Sequence, residues 1–494
     1  MEMASDNNIT ITVQDPPPPS APAPSESTSY SPLEDQAEIS QPRDIDQERN
    51  PENVDPLPKA RDHLKQIEAL ISNKHCIYRV PHLLREVNER AYDPNVISIG
   101  PYHHGKPRLK RMEAIKLCCF LDMFKENISD AITVVKTMGR LEEQVRVCYD
   151  EPSDHLNSQQ FVDMMVYDGC FIVYLIMGGA HNLEEDIFKA RGTLSDIVYD
   201  LLLLENQLPF FVLVELCHII MPRDLHQFAH KALSLFRENL SLSHLFHVPN
   251  KDIKHLLDLV HSCYRPSAQG IKEHGAFREK AAKEPASQCS LNFIGSATEL
   301  DDAGIGFFGD TIEKMMEDSK QGIKTEFDIM FTKDSKILKI HSKVLKIPTL
   351  KVEDSTERTL RNYIAYEQFI HGEPTYFSDY VKFMDNLINT SKDVQLLRKS
   401  GIIDNWLGDD EAVAQMFNRL QDSVWISNDF YYAEIFLSVN EHCQKRWKRW
   451  KAALKKNYFN SPWLFISFLA ATVLLLLTIA QTIFSVLSHF NKQN

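Results

Sequence analysis

The chain has 494 residues, 43% of them hydrophobic, and a net charge of −14. That length allows two or three domains, or one large domain with tails, and the apolar fraction suits packed cores. The acidic balance gives no support to a nucleic-acid binder, and nine cysteines without a CxxC pair speak against a disulfide framework or a zinc site.

Residues 1–58 hold twelve acidic residues, two basic ones and eleven prolines, so −10 of the net charge lies there. So polar a segment cannot bury enough surface to offset its ordering entropy, and it reads as a disordered acidic, proline-rich tail. Its first residues lack a basic n-region and an apolar h-region, so no cleaved secretory signal is expected. The sequons at Asn8, Asn127, Asn239 and Asn389 are about as many as chance supplies and do not argue for a lumenal side.

Residues 59–264 carry mostly helical periodicity. Pro107 suits a first helical residue, and Met112, Ile115, Cys119 and 121–124 give an apolar face after it. Residues 161–177 and 195–217 are apolar nearly all round but interrupted by acids and amides, as in central core helices. Pro209 should kink or divide the second, because it removes a backbone donor. Residues 265–290 lose the apolar rhythm and read as a surface linker.

Over 291–355 the pattern changes. FDIMF and KILKI flank TKDS at hairpin spacing, and VLKIPTLKV is a further strand candidate in which Pro348 imposes an edge or a break. A small antiparallel sheet is expected there. Helices return over 356–444, with Tyr380, Phe383, Met384, Leu387 and Ile388 on one face, and with Val413, Met416, Phe417 and Leu420 on another, capped by Asp409, Asp410 and Glu411.

The basic segment 445–457 precedes an uncharged run from Trp463 to Leu487. At 1.5 Å per residue that run would rise roughly 37 Å, enough for a bilayer core with some tilt. Seven Lys or Arg residues in 445–456 against Lys492 alone beyond the run place the preceding body on the cytosolic side. Trp447, Trp450, Tyr458 and Trp463 would sit at the membrane interface, and the cations would hold anionic lipid. Ser467, Ala471, Thr478, Gln481, Thr482 and Ser485 share about a third of the helix circumference, a face suited to self-association or a membrane protein partner. The expected fold is therefore mainly α: a large helical body, a small antiparallel sheet and one C-terminal transmembrane helix.

The motif ISIGPYHHGKPRLKR raises three readings. Adjacent His103 and His104 point to opposite sides of an extended segment and lack companion ligands, which makes a metal site the weakest. Lys106, Arg108, Lys110 and Arg111 at a helix start could bind an anion. The third reading is a structural corner, in which cations answer acids carried by the apolar core helices. Arg79, Lys110 or Arg111 would then pair with Asp168 or Glu205, with Glu367 a further member of the buried polar network. Asp168 and Glu205 could also form an acid–base pair, but nothing in the sequence fixes their distance. No GxSxG, Walker or GxGxxG motif is present, and Cys118 and Cys119 fit a helix core better than a nucleophile. No cofactor is expected.

CIYRVPHLLREVNERAYDPNVISIGPYHHGKPRLKRMEAIK, DGCFIVYLI, DLLLLENQLPFFVL, ATELDDAGIGF, RNYIAYEQ, YVKFMDNLINTSKDVQLLRKSGII and KRWKRWKAAL…SPW together resemble the plant "domain of unknown function 247" family, from about Cys76 to Leu487. The resemblance implies a land-plant protein with a C-terminal membrane helix and no established catalytic residues. Grass proteins of that family are associated with pollen–stigma self-incompatibility, which implies recognition or signalling for the class. The leading expectation is a non-catalytic, membrane-anchored interaction or signalling protein. The alternatives are an enzyme acting on a membrane-proximal or anionic substrate at residues 102–111, and a lipid-sensing module built on the basic segment.

Overall fold

The computed structural model describes residues 75–179, 193–239, 252–264, 293–311, 343–370, 375–426, 429–454 and 462–491, with shorter stretches between 266 and 332. The tail 1–58 lies outside the described residues, as does most of the expected linker 265–290. Within that linker His274 sits 3.4 Å from Asp429, and its ring lies tilted against Tyr431 with centroids 5.1 Å apart.

The architecture is mainly helical. The first half contains α1 (His82–Val87), α2 (Lys110–Phe124), α3 (Ile128–Arg146), α4 (Ser158–Ile176), α5 (Thr193–Asp200), α6 (Phe210–Ile220), α7 (Phe228–Asn239) and α8 (Leu256–Cys263). α4 is its hub, with α2, α3, α6 and α7 packed around it. Asn157 and Gln160 close a capping box at its start, satisfying two orphan amides. Gly169 lets α6 approach, since a β-carbon there would meet Leu216 Cδ1 at 2.3 Å. Pro209 divides the apolar run 195–217 into α5 and α6 and stands at the N-cap of α6 with extended ψ. The chain between them, 201–209, is therefore free to carry polar side chains into the core.

The second half adds α9 (Ala297–Asp302), α10 (Thr356–Glu367), α11 (Tyr376–Leu387), α12 (Ser391–Lys399) and α13 (Asp410–Leu420). Asp409 caps α13 by accepting from the Glu411 amide at 3.0 Å. α10 packs on the 3₁₀ turn Glu89–Tyr92, so both halves share one apolar core.

The sheet differs from expectation. β1 (Ile305–Phe308), β2 (Met330–Thr332) and β3 (Lys343–Lys346) form a mixed sheet in the order β1-β3-β2, with β1 parallel to β3 and β2 antiparallel to it. Among the described residues FDIMF pairs with KVLK, with Met330 opposite Lys346. KILKI lies outside the described residues. A second pair, β4 (Leu350–Val352) with β5 (Ile403–Asn405), is parallel. Pro348 falls between β3 and β4, which belong to different sheets, so the break it imposes is realised. Turn chemistry reports local antiparallel pairing; parallel pairing across distant segments leaves no such local mark.

The body ends in α14 (Ala433–Leu454), and α15 (Pro462–Asn491) follows. Side chains of α15 are described over 469–483. That stretch alone rises roughly 22 Å, short of a bilayer core of about 30 Å. Among the described residues no helix is long and apolar enough to cross a membrane, so the expected transmembrane helix is not established by the fold. The side chains of Trp447, Trp450, Tyr458, Trp463, Ser467 and Ser485 lie outside the described ones.

Candidate functional site

Residues 95–100, NVISIG, belong to no strand and are buried from Ile97 onwards. Their backbone groups must still be hydrogen-bonded, and buried side chains do this. The Asn95, Val96 and Ile97 amides donate to Asp200 at 2.8, 2.7 and 2.9 Å. Asn206 accepts from Ile99 N at 2.7 Å and donates to the Ile97 carbonyl at 3.1 Å. The Ser98 carbonyl accepts from Lys116 Nζ at 2.5 Å, and the Gly100 amide donates to Asp168 at 2.8 Å. Gly100 has φ +73°, and a β-carbon there would lie 2.5 Å from the Gln207 carbonyl oxygen. Only glycine fits both conditions.

Lys116 is fully buried and bonds Asp168 at 2.5 Å and Glu113 at 2.7 Å. Burial pushes the Asp168 carboxyl up to about 6, against the pull of Lys116 and the Gly100 amide. Asp200 is answered by Arg358 at 2.6 Å.

Glu205, carried in by the turn that Pro209 ends, is the second focus. It accepts from Val80 N at 2.8 Å, Arg79 Nη1 at 3.1 Å and Arg85 Nη2 at 2.6 Å. Gln207 secures the same turn, donating to the Leu201 and Leu203 carbonyls at 2.7 and 2.8 Å. His103 is buried with Nε2 3.4 Å from Glu205. Burial, reinforced by Lys106, lowers its pKa to about 3, so its imidazole is neutral. His104 is half-buried, in keeping with neighbours that point apart.

The basic loop is answered by the protein's own acid. Asp93 binds Lys106 at 3.2 Å, Arg108 at 3.0 Å and Arg85 at 3.4 Å. Burial raises the Asp93 carboxyl, but Lys106 and the other cations outweigh this and leave it below its ordinary value.

Arg79 and Glu205 thus meet, whereas Lys110 and Arg111 are exposed. The cation that reaches Asp168 is Lys116, one turn deeper on the buried face of α2. A lysine at i+4 from Met112 inside an apolar stripe was the signal for it. Glu367 belongs to another cluster: it accepts from the first amides of α11, Phe377 N at 2.9 Å and Ser378 N at 2.8 Å, and from His261 at 3.1 Å. Asp200, Arg358, Arg85, Asn206 and Gln207 were also missed, because residue type alone does not reveal which backbone amides lack partners.

Chemically, the arrangement fixes the 95–100 segment and a loop; its acids are already engaged by amides and cations. Among the described residues no group of three His, Cys, Asp or Glu could hold a metal ion.

The chain is similar to two plant proteins over most of its length. The UPF0481 protein At3g47200 of Arabidopsis thaliana is 33% identical over 435 residues, covering 85% of this chain and 87% of the relative. The putative UPF0481 protein At3g02645 of the same plant is 22% identical over 483 residues, covering 84% and 90%. No solved structure matches. Residues 77–477 match the family described as "plant protein of unknown function" (DUF247), and the chain belongs to that family.

Proposed function

We propose that this protein is a non-catalytic interaction protein held on a membrane by its last helix, with its helical body in the cytosol. One observation carries the reading. Leu474, Leu475, Leu476 and Leu477 of α15 are 64%, 62%, 60% and 59% exposed. Four consecutive residues at 100° steps cover every side of a helix. A helix apolar and exposed all round is stable only in an apolar medium or inside a larger core. The uncharged run 463–487 and the basic segment before it supply the length and the orientation.

The polar face of α15 suggests the kind of contact it makes. Thr478 and Thr482 donate to the Leu474 and Thr478 carbonyls of their own helix, both at 2.7 Å. Gln481, with Ala471 on the same side, is left as the group whose amide needs a partner in lipid, and a second membrane helix would supply one. The acids of the polar corner, already engaged by the chain's own amides and cations, support a body that presents a surface rather than performing acid–base chemistry.

Proximity labelling in cells from the folded body tests this. The full chain should label membrane proteins and a differently tagged second copy. Gln481→Leu with Thr478→Leu should reduce labelling of the second copy several-fold, and a chain ending at Asn457 should lose the membrane neighbours. An identical set of neighbours for the full and shortened chains would refute the reading.

A further inference from the structure

Two cysteines far apart in sequence meet where the described body begins. Cys76 lies on the extended segment before α1, and Cys148 follows α3. The Cys76 and Ile77 amides both donate to the Cys148 carbonyl, at 2.8 and 3.0 Å, and Ile77 pairs with Tyr149 as a parallel bridge. Cys76 and Cys148 are therefore cross-strand neighbours on one face. Adjacent strands run about 4.8 Å apart, a spacing at which two Cα atoms accept a disulfide. Both are free thiols, Cys148 buried and Cys76 half-buried, and the Cys148 sulfur lies 3.4 Å from the Gln144 carbonyl oxygen. The neighbouring Cys148 thiol, with burial, holds the Cys76 thiol far up, while the Cys76 thiol beside it draws Cys148 down. Cys148 thus ionises first, with a proton-bearing thiol beside it.

We propose that Cys76 and Cys148 are a redox modification site that closes reversibly to an intramolecular disulfide on reaction with a hydroperoxide. The Cys148 thiolate attacks a peroxide oxygen; the O–O bond breaks, an S–O bond forms, and the departing oxygen takes a proton to leave as water or an alcohol. The Cys76 sulfur then attacks the Cys148 sulfur. The S–O bond breaks, and hydroxide leaves with the Cys76 proton as water. Two thiols are oxidised and one peroxide is reduced. A peroxide is small enough for Cys148, which is only 8% exposed. The resulting staple would lie three residues ahead of Arg79, and so would tie α3 to the segment that holds Glu205.

The test uses the full chain in detergent. It is treated with hydrogen peroxide, its free thiols are alkylated, and it is digested without reduction for peptide mass spectrometry. The expected result is a linked peptide pair containing Cys76 and Cys148, lighter than the two reduced peptides by about 2 Da and released by dithiothreitol. In Cys76→Ser, Cys148 should stop at the sulfenic acid and take up dimedone. If Cys76 and Cys148 remain fully alkylatable at a dose that oxidises the exposed Cys118, the proposal is wrong; this reading on the native sequence does not depend on whether a variant folds.

Discussion

Lys116→Met lowers the unfolding free energy by about 3–5 kcal/mol at neutral pH, because it leaves the Asp168 carboxylate buried without its cation. The ammonium is fully buried, 2.5 Å from Asp168, and also supports the Ser98 carbonyl at 2.5 Å. The pH dependence has a definite sign. Asp168 is raised in the fold from 3.8 to about 6. Its protonated form therefore favours the fold, and its contribution is fully present below about 4 and lost as pH rises through about 6. Removing Lys116 raises the carboxyl further. The difference between variant and native protein should thus be level below about pH 6, where both carboxyls are protonated, and grow as pH rises from about 6 towards 8. Urea unfolding of both proteins across that range measures it; a pH-independent difference would contradict the pairing. Lys116→Met with Asp168→Leu should recover part of the loss, since replacing both members removes the uncompensated charge.

Glu205→Gln is the second large effect. The amide still accepts from Val80 N, but its NH₂ group now faces Arg79 or Arg85. The two guanidinium groups are 35% and 23% exposed and can turn partly to water, so the expected loss is discounted to about 2–3 kcal/mol. A double-mutant cycle locates the partner. Glu205→Gln with Arg85→Met should be coupled by about 1 kcal/mol or more, while Glu205→Gln with Arg111→Met should be additive to within about 0.5 kcal/mol. The opposite pattern would place the cation where the exposed Arg111 is.

The sequence made the helical body legible because its apolar faces recur at helical spacing. It also marked Pro209 as the divider of 195–217, since a missing backbone donor acts wherever the chain goes. Glu205 and Asp168 stood out for a similar reason: a carboxylate inside an apolar run must find partners. Which partners they found was not legible. Arg111 and Lys116 are five positions apart on one helix, and only packing decides which of them turns inward. The long-range pairings β1–β3 and β4–β5 were missed because no turn links them, whereas the expected local hairpin was read from turn residues alone. The anchoring of Asp200 to three backbone amides was hidden for a further reason. An apolar segment whose amides are met by side chains looks, residue by residue, like any strand.

The central claim is that the last helix holds the chain in lipid. Membranes from cells expressing the full chain, and separately a chain ending at Asn457, are washed with alkaline carbonate and pelleted. The account predicts that the full chain stays in the pellet and is released only by detergent, while the shortened chain is found in the supernatant. Release of the full chain by carbonate alone would contradict it.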